Sequence, residues 1–167
     1  GNLWHSHGSV FDVWIEAAKA GHDLPLTNTR MTRFVMTMPQ ACTFIAHAVD
    51  EMEGGEIFVP QLPTMRLMDL GRAIIALFAK APCALVPMGL RPGGEKVHER
   101  MLSDDEPKRT RQRGQMLVIL PSHRTWTNAP YKAGEPLSDP YHYSSDLGPL
   151  LSMDDLTKLL MTEVPEQ

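Results

Sequence analysis

Residues 37–60 read TMPQACTFIAHAVDEMEGGEIFVP, and the fold class turns on them. Pro39 suits the first turn of a helix, where its missing N–H costs nothing. Cys42, Ile45, Ala46 and Val49 then recur at helical spacing. Gly54-Gly55 stops that helix, and Glu56 to Pro60 is a short β-rich run closed by proline. Helix, glycine stop and strand in immediate succession is the rhythm of an α/β chain.

The same rhythm extends in both directions. Toward the N-terminus, Met31 to Thr37 and Leu24 to Thr27 read as extended segments. Before them Val10, Val13, Trp14 and Ala17 mark a helix with Ser9 as N-cap and Gly21 as its end. Toward the C-terminus, Leu70, Ile74, Leu77 and Phe78 define a helix from about Met68 to Lys80, and Ala84 to Leu90 is extended. Arg91-Pro92-Gly93-Gly94 is a turn, and a short helix is expected to start near Lys96. From Asp104 to Arg113 a charged stretch reads as a solvated helix or loop, and Met116 to Leu120 as the last clear strand. Residues 121–150 hold Pro121, Pro130, Pro136, Pro140 and Pro149 and read as an irregular arm. Ser152-Met153-Asp154-Asp155 then starts a helix whose apolar face is Leu156, Leu159 and Leu160. Two portions result: 1–120, an α/β portion, and 121–167, the arm with its terminal helix.

Composition narrows the function classes. The chain has 167 residues, 43% hydrophobic and 22% charged, which excludes an integral membrane protein, a fibrous repeat and a wholly disordered chain. Its longest apolar run, Ala73 to Ala79, is too short to span a bilayer. With 16 basic and 20 acidic residues, no global field favours nucleic acid or an anionic membrane. Cys42 and Cys83 lie in apolar segments and read as small buried hydrophobes of a reduced, cytoplasmic protein. Met31, Met36 and Met38 read as core filler, and His47, on the apolar helix, as a partly buried histidine. His5 and His7 alternate on one side of an extended segment, but two ligands do not make a metal site. The run Lys108 to Arg113 follows three acids and lacks aromatics, so it reads as a solvated charge cluster. No G-x-G-x-x-G turn, Walker sequence or Tyr-x-x-x-Lys element is present. The first residues are Gly1-Asn2 rather than Met, from which a missing N-terminal portion is expected.

Several blocks, in order, resemble one family. GNLWHSHGSV (1–10) is similar to the G-N-V-x-G-S-R-G-S-V stretch of extended short-chain dehydrogenases/reductases acting on UDP-sugars. PLT (25–27) with MTRFVMT (31–37), GGEIFVP (54–60), GLRPGGEKVHE (89–99) and YSSD (143–146) with Leu151-Ser152 resemble that family's further blocks. The subgroup most resembled is the inverting UDP-N-acetylglucosamine 4,6-dehydratases of polysaccharide biosynthesis. Three positions depart from the pattern: His5 stands for Gly, His7 for Arg, and one glycine is added in RPGGE (91–95).

The resemblance implies the C-terminal, substrate-binding portion of an extended short-chain dehydrogenase/reductase fold, without its glycine-rich Rossmann half. NAD(P) is implied for the complete enzyme and no cofactor for this chain. Arg33 and Arg91 would hold the UDP diphosphate, a task suited to guanidinium forks. Glu95 would meet the ribose or neighbouring backbone, Asn2 a phosphate or sugar oxygen, and Ser9 would lie near the nucleotide at a helix N-terminus. For Arg33 the residues themselves leave a second reading open, an edge arginine facing solvent or bridging a structural carboxylate. The function implied is UDP-sugar binding without turnover by this chain alone. The alternatives are a non-catalytic binding or assembly module, which self-associates or partners a separate Rossmann half, and a degraded remnant.

Overall fold

The computed structural model describes residues 3–4, 9–89, 95–123, 130–132 and 134–163. Helix α1 (Val10–Lys19) ends in a Schellman turn: Gly21, at φ +72°, donates to Ala18, and His22 donates to Ala17. Its buried face is Phe11, Trp14, Ile15 and Ala18. The expected face of Val10, Val13, Trp14 and Ala17 is therefore rotated by about one residue, and Val13 faces solvent. Phe11 and Ile15 explain the rotation, since they bury more apolar area than Val13 and Ala17 of the expected face.

Strand β1 (Leu24–Leu26) buries both leucines and pairs in parallel with β5 (Leu85–Pro87). Strand β2 (Thr32–Phe34) pairs antiparallel with β4 (Thr64–Arg66), which runs directly into α3 (Leu67–Phe78). The third sheet is antiparallel and places its strands in the order β3 (Ile57–Pro60), β7 (Met116–Ile119), β6 (Thr110–Arg113), β8 (Glu135–Pro136). The charged stretch 104–113 is thus corrected to a 3-10 turn (Glu106–Arg109) followed by a strand, and β8 follows the strand read as the last. Helix α4 (Met153–Glu163) opens as expected. Asp155 N donates to Ser152 Oγ, Ser152 N donates to Asp155 Oδ2, and Leu156 and Leu160 are fully buried.

Two apolar cores result. One joins α1, β1, α3 and α4 around Trp14, Leu24, Leu26, Leu70 and Ile74. The other joins Phe34, Val59, Leu117, Ile119 and Tyr143. Residues beyond 121 contribute to both, through Tyr143, Leu156 and Leu160.

Helix α2 (Met38–Glu51) carries a Thr37–Gln40 capping box, with Pro39 in its first turn. It buries no residue, which corrects the expectation that its apolar face enters the core. Ile45 and Val49 are each 60% exposed, and Met38, Cys42 and Met52 on the same stripe are also exposed. Gln40, Thr43, Phe44 and His47 instead line a cavity of about 480 Å³ between the helix and residues 60–63. Cys42 and Met38 are therefore not core residues, Cys83 is half-buried, and His47 is exposed. Both thiols are free. No helix among the described residues is long and apolar enough to cross a membrane.

Candidate functional site

Parallel strands leave their carboxyl ends side by side, and in open α/β sheets ligands settle there. Thr27 emerges from the carboxyl end of β1. Beside it Met88, just past β5, donates its amide to Leu26 O at 2.9 Å. Glu95 returns to this point: the Thr27 hydroxyl donates to its Oε1 at 3.3 Å. Its other oxygen, Oε2, is buried and meets no hydrogen-bond donor among the described residues. A buried carboxylate oxygen left bare is costly unless something donates to it.

From Glu95 the chain runs as a strap, residues 95–101, between β2 and residues 143–145. Thr32 N donates to Val97 O, Ser145 N to Glu99 O, and Met101 N to Tyr143 O. The Thr32 hydroxyl lies 2.8 Å from His98 Nδ1, and Ser145 Oγ accepts from Glu99 N at 2.9 Å. The helix expected near Lys96 does not form. The carbonyls of Lys96 and Val97, which a helix would direct to its own amides, are taken by Arg33 and Thr32.

Arg33 sits in the middle of β2 with its side chain 15% exposed. Its Nη1 donates to Thr32 O at 2.7 Å and Val97 O at 3.1 Å, and Nη2 to Lys96 O at 3.0 Å. Nη2 also reaches Met31 Sδ at 3.9 Å, and Nε lies 3.5 Å from a carboxylate oxygen of Glu99. The structure therefore brings Arg33 and the Glu95 strap together. Asp146, beyond the strap, is held below the usual carboxylate range chiefly by the Ser144 hydroxyl, with a smaller contribution from His98.

Ser9 occupies the N-cap position of α1, but its hydroxyl turns to Asp12 Oδ2 at 3.4 Å. Asn2 and Arg91 lie outside the described residues, as do His5, His7 and the added glycine of the 91–95 turn. Thr27, Thr32, His98 and Ser145 escaped selection in the sequence, although each falls inside or beside a resembled block. Their shared signal is a hydroxyl or imidazole within an otherwise apolar or charged motif. Among the described residues no group of three or more His, Cys, Asp or Glu forms a metal-binding cluster.

Residues 1–121 match the model of a family described as polysaccharide biosynthesis protein. The chain belongs to that family. Over 158 residues it is 34% identical to the UDP-N-acetylglucosamine 4,6-dehydratase (inverting) of Campylobacter jejuni serotype O:2, covering 90% of this chain and 46% of that enzyme. It is 28% identical to the UDP-glucose 4-epimerase of Rickettsia canadensis, covering 97% of this chain and 48% of that one. The X-ray structure of Pen from Bacillus thuringiensis superposes on 98% of this chain with a TM-score of 0.82 and 27% identity, over 47% of its own length. The α/β class of the extended short-chain dehydrogenase/reductase fold is borne out by this likeness. This member of the polysaccharide biosynthesis family spans about half the length of the curated relatives it matches.

The family resemblance implies NAD(P) for a complete enzyme, so the junctions that would cradle a dinucleotide matter. Its pyrophosphate requires a glycine turn between strand and helix. Residues 35–37 join β2 to α2 without glycine, and β4 passes into α3 directly. These described junctions do not fit the pyrophosphate.

Proposed function

We propose that this chain is the UDP-sugar-binding part of a nucleotide-sugar dehydratase- or epimerase-like enzyme of polysaccharide biosynthesis, without turnover on its own. The observation that carries the reading is Glu95. Its bare, buried Oε2 stands at the carboxyl ends of β1 and β5, where it can accept from a sugar or ribose hydroxyl. Arg91 and Asn2 belong to this proposal by their place in the resembled blocks, and Ser9 as the N-cap of α1. Titration calorimetry with UDP-N-acetylglucosamine tests it. Binding is expected in the wild type and at least tenfold weaker in Glu95→Ala; no heat from the wild type sinks the reading. Added NAD(P) and substrate are expected to yield no 4-keto product.

A second reading, an assembly module, is favoured by α2. Its outward stripe of Met38, Cys42, Ile45, Val49 and Met52 carries no charge, so a second copy can meet it without repulsion. Over both copies such a stripe approaches the order of 1,000 Å² that a specific interface needs. Antiparallel pairing also sets Asp50 and Glu51, at the helix C-terminus, beside the partner helix's positive N-terminal end. Light scattering should find a dimer that Ile45→Asp with Val49→Asp dissociates. A wild-type monomer, or a dimer that survives the change, overturns this reading.

A further inference from the structure

One cavity shares no residue with the β1–β5 site. The last turns of α2, the end of β6, the start of β7 and residues 132, 134 and 135 border about 520 Å³. That volume falls within the roughly 300–1,000 Å³ of small-molecule sites. Arg113 stands on its wall. The Arg113 side chain is 8% exposed and its Nη2 donates to Lys132 O at 2.7 Å, while Nε and Nη1 are buried without hydrogen-bond partners among the described residues. Buried donors on a charged group are costly to leave bare, so the wall favours a ligand that brings oxygen acceptors. We propose that this cavity binds a neutral saccharide of hexopyranose size through the Arg113 guanidinium.

The lining selects that chemistry. Met116 is its one large apolar side chain among the described residues, unlike the apolar and aromatic walls of most small-ligand pockets. Glu51 lies 3.4 Å from the Lys132 ammonium and Glu53 3.9 Å from the Arg113 guanidinium, so both cations already face a carboxylate. Glu135 adds a further negative charge at the exposed rim. A phosphate or carboxylate ligand would meet repulsion from these acids. A sugar hydroxyl carries no charge and both accepts and donates. It can accept from Arg113 while its neighbour on the ring donates to Glu51 or Glu135. Lys132 supplies the way in: it is half exposed, and its ammonium holds Glu51 O and Oε2 only at 3.3 and 3.4 Å. That wall can yield and let a hydroxyl reach the guanidinium. The Arg113 stem stays fixed, because Gly134 passes so close that a Cβ there would lie 3.1 Å from Arg113 Cγ and 3.0 Å from Gln112 O. A donor held in place before binding loses little freedom on binding.

This site needs no nucleotide, so it stands or falls apart from the UDP-sugar reading. The test is NMR of the whole chain, following backbone amides and the arginine Nε–H signals. Free N-acetylglucosamine and glucose are titrated in, with inorganic phosphate as the anionic comparison. At least one sugar is expected to shift Arg113 Nε–H and the Lys132, Gly134 and Glu135 amides saturably, with Thr27 and Val97 unmoved. Arg113→Met should weaken that sugar at least about tenfold, as loss of a charge-assisted hydrogen bond does. Glu51→Gln should weaken the sugar by about threefold, whereas an anion would bind this variant more tightly. The second variant decides alone should Arg113→Met unfold. The proposal is overturned if neither sugar moves these signals or if the shifts persist in Arg113→Met. Phosphate binding alone, strengthened by Glu51→Gln, overturns it in favour of an anion site.

Discussion

The hydroxyls of Thr32 and Ser145 meet at 2.7 Å in a buried contact between residues 113 apart in the chain. Ser145 Oγ also donates to Thr32 O at 3.1 Å and accepts from Glu99 N at 2.9 Å, so one hydroxyl joins β2, the strap and the arm. Ser145→Ala leaves the Glu99 amide without its acceptor, while Thr32 O keeps the bond from Arg33 Nη1. The expected cost is about 1–3 kcal/mol, read as a lower urea midpoint with unchanged slope. A loss under about 0.5 kcal/mol would mean that the contact is idle.

The phenol of Tyr143 is the arm's second anchor, donating to Pro60 O at 2.8 Å and accepting from Leu62 N at 2.6 Å. Burial pushes its pKa above the ordinary value, while the Leu62 amide pulls the other way. The unfolded chain thus releases this proton first. The contribution is complete below about pH 10 and is lost as pH rises above the ordinary tyrosine value. Stability is expected to fall more steeply on the alkaline side in the wild type than in Tyr143→Phe. Ultraviolet titration alongside denaturation checks this, and parallel curves would refute it.

Arg113 lies in β6 with its side chain 8% exposed. It donates from Nη2 to Lys132 O at 2.7 Å, yet Nε and Nη1 are buried without hydrogen-bond partners among the described residues. Its neighbour Glu53 sits at 3.9 Å and also accepts from Lys132 N, so removing the guanidinium does not strand that carboxylate. Arg113→Met is expected to leave stability unchanged or to raise it by about 1 kcal/mol or more. A loss beyond about 1 kcal/mol would show that the Lys132 tether outweighs the two orphan donors.

Those buried polar anchors mark the boundary of what the sequence made legible. Strong periodicity and chain punctuation placed α1, α3, α4, β1, β3 and β7, because glycine stops, caps and apolar spacing act locally. Strand β6 escaped notice because TRQR (110–113) has no apolar alternation; its place is set by pairing with β7 and β8. The apolar stripe of α2 was visible, but periodicity cannot say which side faces the body, and here the polar side does. At the candidate site, Arg33 and Glu95 were legible only through resemblance. The strap's carbonyls, which accept from Arg33, leave no trace in side-chain pattern.

A UDP-sugar bound as proposed is read at the carboxyl ends of β1 and β5. Two alternative hollows flank residues 61–63, one of about 560 Å³ against Tyr141 to Ser144 and one of about 480 Å³ against α2. Backbone NMR of the whole chain titrated with UDP-N-acetylglucosamine decides between them. Saturable shifts are predicted at Thr27, Glu95, Lys96 and Val97, with Gln61, Leu62 and Gln115 unmoved. Shifts confined to Gln61, Leu62, Gln115 and Tyr141, with Thr27 and Glu95 silent, would put the ligand in those hollows and overturn the β1–β5 site.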